Sequence, residues 1–116
     1  GKCLVLNVDG RFVVYVTVQG KKVAFDRVKE VLQAKKLRLA TPEELRVNFG
    51  AEPGCAYPFG FSHTFAIYVD PIIFEQEWFL FSPVLPTKTA QVKGSDLRKV
   101  FDNIKNSVTI VTDFNQ

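Results

Sequence analysis

Residues 52–60 combine rigid backbone positions with side chains that could bind or react. Pro53 and Pro58 fix the backbone φ angle, Gly54 and Gly60 permit geometry that other residues avoid, and the segment 55–57 reads Cys-Ala-Tyr. Stiff loops on a rigid scaffold are where binding residues concentrate. The sequence therefore predicts a preorganised binding loop, and the alternative is a tight turn that only reverses the chain.

Two thiols and one imidazole are the remaining groups that could carry nucleophilic chemistry. Cys55 and His63 are close enough along the chain for a loop to bring them together. A Cys–His pair also needs a third group to orient the imidazole, and no sequence signature marks one. We therefore expect no thiol nucleophile, a local or solvent-facing role for His63, and ordinary packing for Cys3. The sequence has neither a zinc-ligand spacing of Cys and His nor a Gly-rich phosphate-binding motif.

Lys2 stands directly before a run of apolar residues that has the pattern of a buried strand. A lysine in that place is expected to lie over the end of a sheet. The alternative is an ordinary exposed lysine near the N-terminus. From the residues alone, the ordinary exposed lysine is the favoured interpretation.

Composition limits the broad class of the protein. Of its 116 residues, 47% are hydrophobic and 23% are charged, which indicates one globular domain over residues 1–116. The net charge of +3 is compatible with nucleic-acid binding but is weak support for it. Only two cysteines, and no apolar run near the roughly 18 residues of a membrane span, favour a cytoplasmic protein. Because the chain begins with Gly and enters a strand at once, we expect a domain excised from a longer protein.

Seven segments have the apolar and β-branched patterns of strands: residues 3–8, 12–18, 37–40, 64–69, 78–81, 88–92 and 108–111. Asp9 and Gly10 predict a hairpin turn between the first two. Strands and helices interleave irregularly along the chain. This order predicts an α+β fold, in which helices pack around a mixed, largely antiparallel β-sheet.

Three longer segments predict helices. We expect Asp26 to cap a helix over residues 27–35. Thr41 is expected to cap a second helix, with Glu44 bonding back to the capping residue. Ser95 is expected to cap the last helix, whose apolar stripe consists of Leu97, Val100, Phe101 and Ile104.

In this order, the motifs resemble the YbaK-type aminoacyl-tRNA deacylase family, which also occurs as the editing insertion or appendage of prolyl-tRNA synthetases. The similar pieces are spread over almost the whole chain: residues 2–6, 36–44, 54–60 and 67–70, and Thr89 followed by residues 95–97. The Gly-x-x-x-Pro loop alone would be unspecific. The resemblance is specific because the loop follows the strand lysine, Lys2, and precedes the pair Val69-Asp70.

The resemblance implies a domain that hydrolyses the ester of mischarged tRNA, such as tRNA-Pro carrying alanine or cysteine, without a cofactor. Lys2 matches the family lysine that holds a phosphate of the acceptor end. Gly54 and Pro58 match the loop whose backbone orients the aminoacyl carbonyl and the attacking water, with help from the hydroxyl or thiol of the substrate. The implied partners are the tRNA acceptor end and a synthetase, in cis or in trans. The residues assigned to substrate binding are Cys55, Ala56, Tyr57, His63 and Ser82.

The chain also departs from the family pattern. Tyr57 stands where relatives often have a small residue, and residues 82–86 read Ser-Pro-Val-Leu-Pro where alanine-specific members have His-Pro-Leu-x-Asn. Val84 stands where other members have Gly, and the helical segment ahead of the lysine strand is absent. Tyr57 and the missing His and Asn favour an alternative, a catalytically silent module that binds tRNA or a protein partner. Lys2 and the intact loop favour the enzyme.

Overall fold

The structure is a computed structural model that describes residues 2–18, 20–49, 65–81 and 90–115. Its strands are β1 (Lys2–Val8), β2 (Arg11–Thr17), β3 (Leu37–Leu39), β4 (Ala66–Val69), β5 (Trp78–Phe81), β6 (Ala90–Lys93) and β7 (Val108–Ile110). Its helices are α1 (Phe25–Val31), α2 (Pro42–Phe49), α3 (Gly94–Asn103) and a 3-10 helix (Pro71–Glu75).

A mixed five-stranded sheet with the order β3-β1-β2-β4-β7 forms the centre of the fold. β1 runs antiparallel to both β2 and β3, whereas β4 runs parallel to both β2 and β7. β5 and β6 form a separate antiparallel pair. The predicted α+β class is therefore confirmed. The hairpin between β1 and β2 turns at Asp9 and Gly10, whose φ angles of 52° and 88° fit the tight turn that their sequence predicts.

Alternation along the strands gives the sheet two buried faces. On one face Val14, Val16 and Ile67 pack with Leu97 and Phe101 of α3. On the other face Val13 and Tyr15 pack in a cluster with Val28 of α1 and with Phe114 near the end of the chain. Because successive side chains of a strand point to opposite faces, β2 contributes to both clusters. Its last five residues, 13–17, are all buried.

The start of α2 agrees with its sequence signature. Thr41 Oγ1 accepts a hydrogen bond from the Glu44 amide at 3.1 Å, and Glu44 Oε1 accepts one from the Thr41 amide at 2.9 Å. This reciprocal pair satisfies two backbone donors that the helix leaves without partners. The predicted capping box is confirmed.

The predicted boundaries of α1 are wrong at both ends. Asp26 lies in the first turn instead of at the cap, and the residue at the cap is Ala24, which makes no side-chain capping bond. Gln33 takes a left-handed φ of 53°, so the helix cannot continue to residue 35. The amides of Lys35 and Lys36 instead donate to the Asp9 carboxylate, at 3.1 and 2.7 Å.

The predicted cap of α3 is also wrong. The helix begins at Gly94, one residue before Ser95, and Lys93 at the cap makes no side-chain capping bond. The Gly94 amide instead donates to the Gln76 carbonyl at 3.1 Å, so a tertiary contact with the 3-10 helix region sets this start. The apolar stripe is confirmed at Leu97 and Phe101, which are buried. Over the described parts of the chain, no helix is long and apolar enough to cross a membrane.

Candidate functional site

The beginning of β1 and the ends of β2 and β4 meet at one end of the sheet, formed by strand termini, which we call the sheet edge. Lys2 pairs with Thr17 because β1 runs antiparallel to β2. Val16 pairs with Val69 because β2 and β4 run parallel, so Asp70 follows at the same edge. The first residue of one strand is therefore placed beside the residues that end two others.

Three polar residues at this edge form a hydrogen-bonded group, which we term the strand-end cluster: Thr17, Asp70 and Asn115. Thr17 Oγ1 donates to Asp70 Oδ2 at 2.8 Å, and Asn115 Nδ2 donates to the same oxygen at 2.6 Å. The other carboxylate oxygen of Asp70 accepts from the Ile72 amide at 3.1 Å. Asn115 Nδ2 also lies 3.3 Å from Thr17 Oγ1.

The carboxylate of the strand-end cluster is almost removed from solvent. Asp70 is 8% exposed and Thr17 is fully buried. A buried carboxylate is costly unless hydrogen bonds compensate for its lost hydration, and Asp70 has three donors. The Asn115 atom that faces the carboxylate is the amide nitrogen, which is a donor. The cluster therefore joins the two strand ends to the C-terminal segment.

Aromatic rings pack beside the strand-end cluster. Tyr15 makes an edge-to-face contact with Phe114 at a centroid distance of 5.2 Å, and Tyr68 lies 5.4 Å from the same ring. Burial raises the pKa of Tyr15 to about 12, so its hydroxyl stays protonated at neutral pH. Within the described ranges, the Tyr15 hydroxyl and Asn115 Oδ1 are buried atoms that meet no hydrogen-bond partner.

The segment that carries Asn115 is anchored on both sides of the sheet edge. The Val111 amide donates to the Val69 carbonyl at 2.9 Å, and the Ala24 amide donates to the Phe114 carbonyl at 2.7 Å. An isolated bridge also joins Asn115 to Val23, just ahead of α1. Asn115 is therefore held by backbone contacts that are independent of its side chain.

Of the site residues predicted from the sequence, only the backbone of Lys2 falls in the part of the chain that the structure describes. Lys2 opens β1, one residue earlier than the predicted strand. Gly54 and Pro58 lie outside the described residues, so the roles assigned to Lys2 and to this loop stay predictions. Outside them as well lie the residues assigned to substrate binding, which are Cys55, Ala56, Tyr57, His63 and Ser82.

Cys3 behaves as the sequence predicts. It packs against the buried cluster around Val14 and Val16, although part of the residue reaches the surface. Burial of its thiol raises the pKa of Cys3 to about 12. Because the thiolate is the nucleophilic form, this thiol is inert at neutral pH. Across the described residues, His, Cys, Asp and Glu also form no group of three that could hold a metal ion.

The sequence analysis missed most of the strand-end cluster. Asp70 stands directly before Pro71, a position typical of a turn or capping residue, and it caps the 3-10 helix through the Ile72 amide. Its bonds to Thr17 and Asn115 were not predicted. An Asp directly after a buried strand signals a polar group at a sheet edge, but no local pattern pairs it with residues 53 and 45 positions away.

A family model matches most of the chain. The model described as the aminoacyl-tRNA editing domain matches residues 1–100. The chain belongs to this aminoacyl-tRNA editing domain family. The predicted relation to YbaK-type and prolyl-tRNA synthetase-associated domains is thereby confirmed.

Curated relatives of this editing domain are proline–tRNA ligases. It is 43% identical over 70 residues to the ligase of Geobacillus thermodenitrificans and 35% identical over 69 residues to that of Bacillus licheniformis. Each alignment covers 60% of the editing domain but only 12% of the ligase. The chain thus matches a small part of the length of these relatives.

Solved structures share the fold of the editing domain at low sequence identity. A crystal structure described as a candidate trans-editing enzyme for prolyl tRNA synthetase has a TM-score of 0.79 and 18% identity. That alignment covers 99% of the editing domain and 69% of the other chain. The crystal structure of a hypothetical protein has a TM-score of 0.80 and 17% identity, with 99% and 73% covered. These likenesses confirm the fold.

Proposed function

We propose that this editing domain hydrolyses the ester bond of mischarged aminoacyl-tRNA, with a positioned water as the nucleophile. The observation that carries the proposal is the family match over residues 1–100, a range that contains Lys2 and the whole loop 54–58. Similarity to proline–tRNA ligases supports tRNA-Pro carrying alanine or cysteine as the substrate. The partners are then the tRNA acceptor end and prolyl-tRNA synthetase, in cis or in trans.

In this proposal Lys2 binds a phosphate of the acceptor end and so places the terminal adenosine. A lysine ammonium is a point charge suited to phosphate, and the backbone of Lys2 is fixed by its pairing with Thr17. Because this strand end is fixed, the Lys2 side chain starts from a defined backbone position. The strand-end cluster supports this assignment because it ties the strand next to Lys2 to the rest of the sheet edge.

The loop 54–58 supplies the electrostatic part of the proposed mechanism. Backbone N–H groups held by Gly54 and Pro58 are preorganised dipoles for the oxyanion that develops when water attacks the ester carbonyl. Holding ester and water in register lowers the barrier further because the reactants lose their freedom on binding instead of in the transition state. The hydroxyl or thiol of the substrate assists the attack. No protein nucleophile is then required, in agreement with the inert thiol of Cys3.

An editing domain compensates for the limited selectivity of the synthetase pocket. A synthetase pocket discriminates by only about 1–3 kcal/mol per methylene, so amino acids smaller than the correct one enter and are attached. A second site that hydrolyses the wrong ester removes the error. Alanine and cysteine are both small enough to need such a site in proline attachment.

The test is hydrolysis of alanyl- and cysteinyl-tRNA-Pro by the wild-type chain and three variants. Lys2→Ala should slow deacylation by at least about tenfold, since a hydrogen bond to a charged group contributes roughly 1.5–3 kcal/mol. Cys55→Ala should have little effect by comparison, because Cys55 is assigned to substrate binding and the attack runs on water. Lys99→Ala, which removes an exposed lysine of α3, is the matched control and should also retain activity.

Two results would contradict the proposal. A folded Cys55→Ala protein without activity would mean that a thiol nucleophile had been rejected wrongly. Binding of tRNA by the wild-type chain without turnover of either substrate would instead support the silent module, which Tyr57 and the 82–86 segment favour.

A further inference from the structure

Asn115 lies beyond the part of the chain that the family model matches. That match ends at residue 100, whereas Asn115 belongs to the segment that follows β7. Its amide nevertheless makes the shortest hydrogen bond of the strand-end cluster, 2.6 Å to Asp70 Oδ2. A residue outside the matched region is therefore built into the edge of the sheet at which Lys2 begins β1.

The bonds of the Asn115 amide converge on the strand that pairs with Lys2. Nδ2 reaches both Asp70 Oδ2 and Thr17 Oγ1, and Thr17 itself donates to Asp70. Thr17 is the backbone partner of Lys2. One buried residue, Thr17, therefore both contacts the Asn115 amide and pairs with Lys2 in the sheet.

The path is sensitive to a single missing donor. Asp70 is 8% exposed, so water cannot freely replace a lost hydrogen bond to its carboxylate. With the amide removed, Oδ2 would lose the shorter of these two hydrogen bonds and keep the one from Thr17. A carboxylate in that condition is expected to turn towards solvent and to loosen the end of β2.

From this geometry we infer that Asn115 is a positioning residue for Lys2, acting through Asp70 and Thr17. The inference rests on the proposed function, since it assigns Asn115 to the site that deacylates tRNA. In this role Asn115 acts on the strand end and not on the substrate. It fixes the strand end from which the Lys2 side chain reaches the acceptor phosphate.

A double-mutant cycle with Lys2 separates positioning from general stabilisation. Single-turnover hydrolysis at saturating alanyl-tRNA-Pro is measured for wild type, Asn115→Ala, Lys2→Ala and the double variant. Asn115→Ala should slow hydrolysis by about tenfold, as expected for one charge-assisted hydrogen bond. The double variant should equal Lys2→Ala within about twofold, because residues that act through one another are not additive. If the rate of the double variant falls by the product of the two single-variant factors, the inference is overturned.

Two further variants protect the test against misfolding. Thr17→Val keeps the shape of a buried side chain while removing its hydroxyl, and it should show the same non-additivity with Lys2→Ala. Asn103→Ala is the matched control, because its amide donates to the Lys99 carbonyl on the exposed side of α3. It should hydrolyse the substrate as fast as wild type does. A loss as large as that of Asn115→Ala would overturn the assignment.

Amide hydrogen exchange tests the conformational step without turnover. In Asn115→Ala, the Ile72 amide, which donates to Asp70, should exchange about tenfold faster. The Ile67 amide, bonded to the Ser107 carbonyl at the start of β4, should be unchanged. Unchanged exchange at Ile72 would overturn the inference whatever the activity.

Failure of the proposed function would be recognised separately. If the wild-type chain hydrolyses neither substrate, the cycle is measured on the dissociation constant for uncharged tRNA-Pro. Non-additive loss of binding in Asn115→Ala and Lys2→Ala would still support the positioning role. Additive effects, or no effect of Lys2→Ala on binding, would overturn it.

Discussion

Glu44 joins three elements of the fold through one carboxylate. It accepts from the Thr41 amide within the capping box, from Arg38 of β3 at 2.6 and 3.1 Å, and from Asn7 of β1 at 3.2 Å. These bonds, led by that from Arg38, lower the pKa of Glu44 to about 2. The carboxylate therefore stabilises the fold only while it is ionised.

We predict that the Glu44 carboxylate makes part of the domain's stability vary with pH in the acidic range. Its folded pKa of about 2 lies below the ordinary value of 4.5, so its contribution is present above about 4.5 and is lost as the pH falls towards 2. Glu44→Gln should be less stable than wild type at neutral pH. The difference in unfolding free energy, measured by denaturant titration at a series of pH values, should close over that interval.

The matched control for this prediction is Glu43→Gln, which removes an exposed charge from the same helical turn. Its difference from wild type should be smaller. A Glu44→Gln deficit that stays constant from neutral pH down to pH 2 would mean that the ionised carboxylate is not the stabilising species.

At the residue scale, the sequence predicted contacts that are local and missed those that are not. The bond between Thr41 and Glu44 spans three positions, and a capping box has a recognisable spacing. The contact between Asn115 and Thr17 spans 98 positions. No periodicity or motif encodes such a pairing, because it exists only after the sheet has brought both ends of the chain together.

At the element scale, the junction of β6 and α3 depends on one glycine. A Cβ at Gly94 would meet three backbone carbonyls of the 3-10 helix region, including Phe74 O at 2.8 Å and Ile73 O at 2.9 Å, with Gln76 O closer still. Backbone atoms cannot move aside as the end of a flexible side chain can. The helix therefore docks at a distance that only glycine permits, and this explains why α3 begins there.

We predict that Gly94→Ala destabilises the domain by about 3 kcal/mol, at the upper end of the cost of overpacking a buried site. The comparison is Gly20→Ala, where the φ of +87° makes a side chain unfavourable but nothing lies within 4 Å of an added Cβ. That variant should lose only about 1–2 kcal/mol from backbone strain. Chemical denaturation of both proteins measures the difference, and equal losses would rule out the close contact.

Element types followed from the sequence more readily than element boundaries. The stripe of α3 was predicted because Leu97 and Phe101 are spaced one helical turn apart and are apolar, and both are buried. The end of α1 was not predicted, because it depends on Asp9 accepting from the amides of Lys35 and Lys36. Such tertiary hydrogen bonds compete with the helix and cannot be read from local propensity.

At the scale of the whole molecule, modest charge limits how tightly the isolated domain can bind tRNA. The net charge is +3 and acidic residues are interspersed with basic ones along the chain. Each phosphate contact contributes roughly 0.7–0.9 to the slope of log affinity against log salt. Other lysines that could contact phosphates include Lys21, Lys22, Lys35, Lys36 and Lys88.

We predict that tRNA binding by the isolated chain has a salt slope on the order of 2–4, as expected if Lys2 and two or three of these lysines engage phosphates. Binding should then be weak at physiological salt, and tighter engagement would need a synthetase or another partner. Titrations of tRNA-Pro across a salt series measure the slope. Lys2→Ala should lower it by about one contact, roughly 0.7–0.9, whereas the control Lys99→Ala should leave it unchanged. No binding even at low salt would contradict both the deacylase and the tRNA-binding module, and would leave a protein-interaction role for this fold.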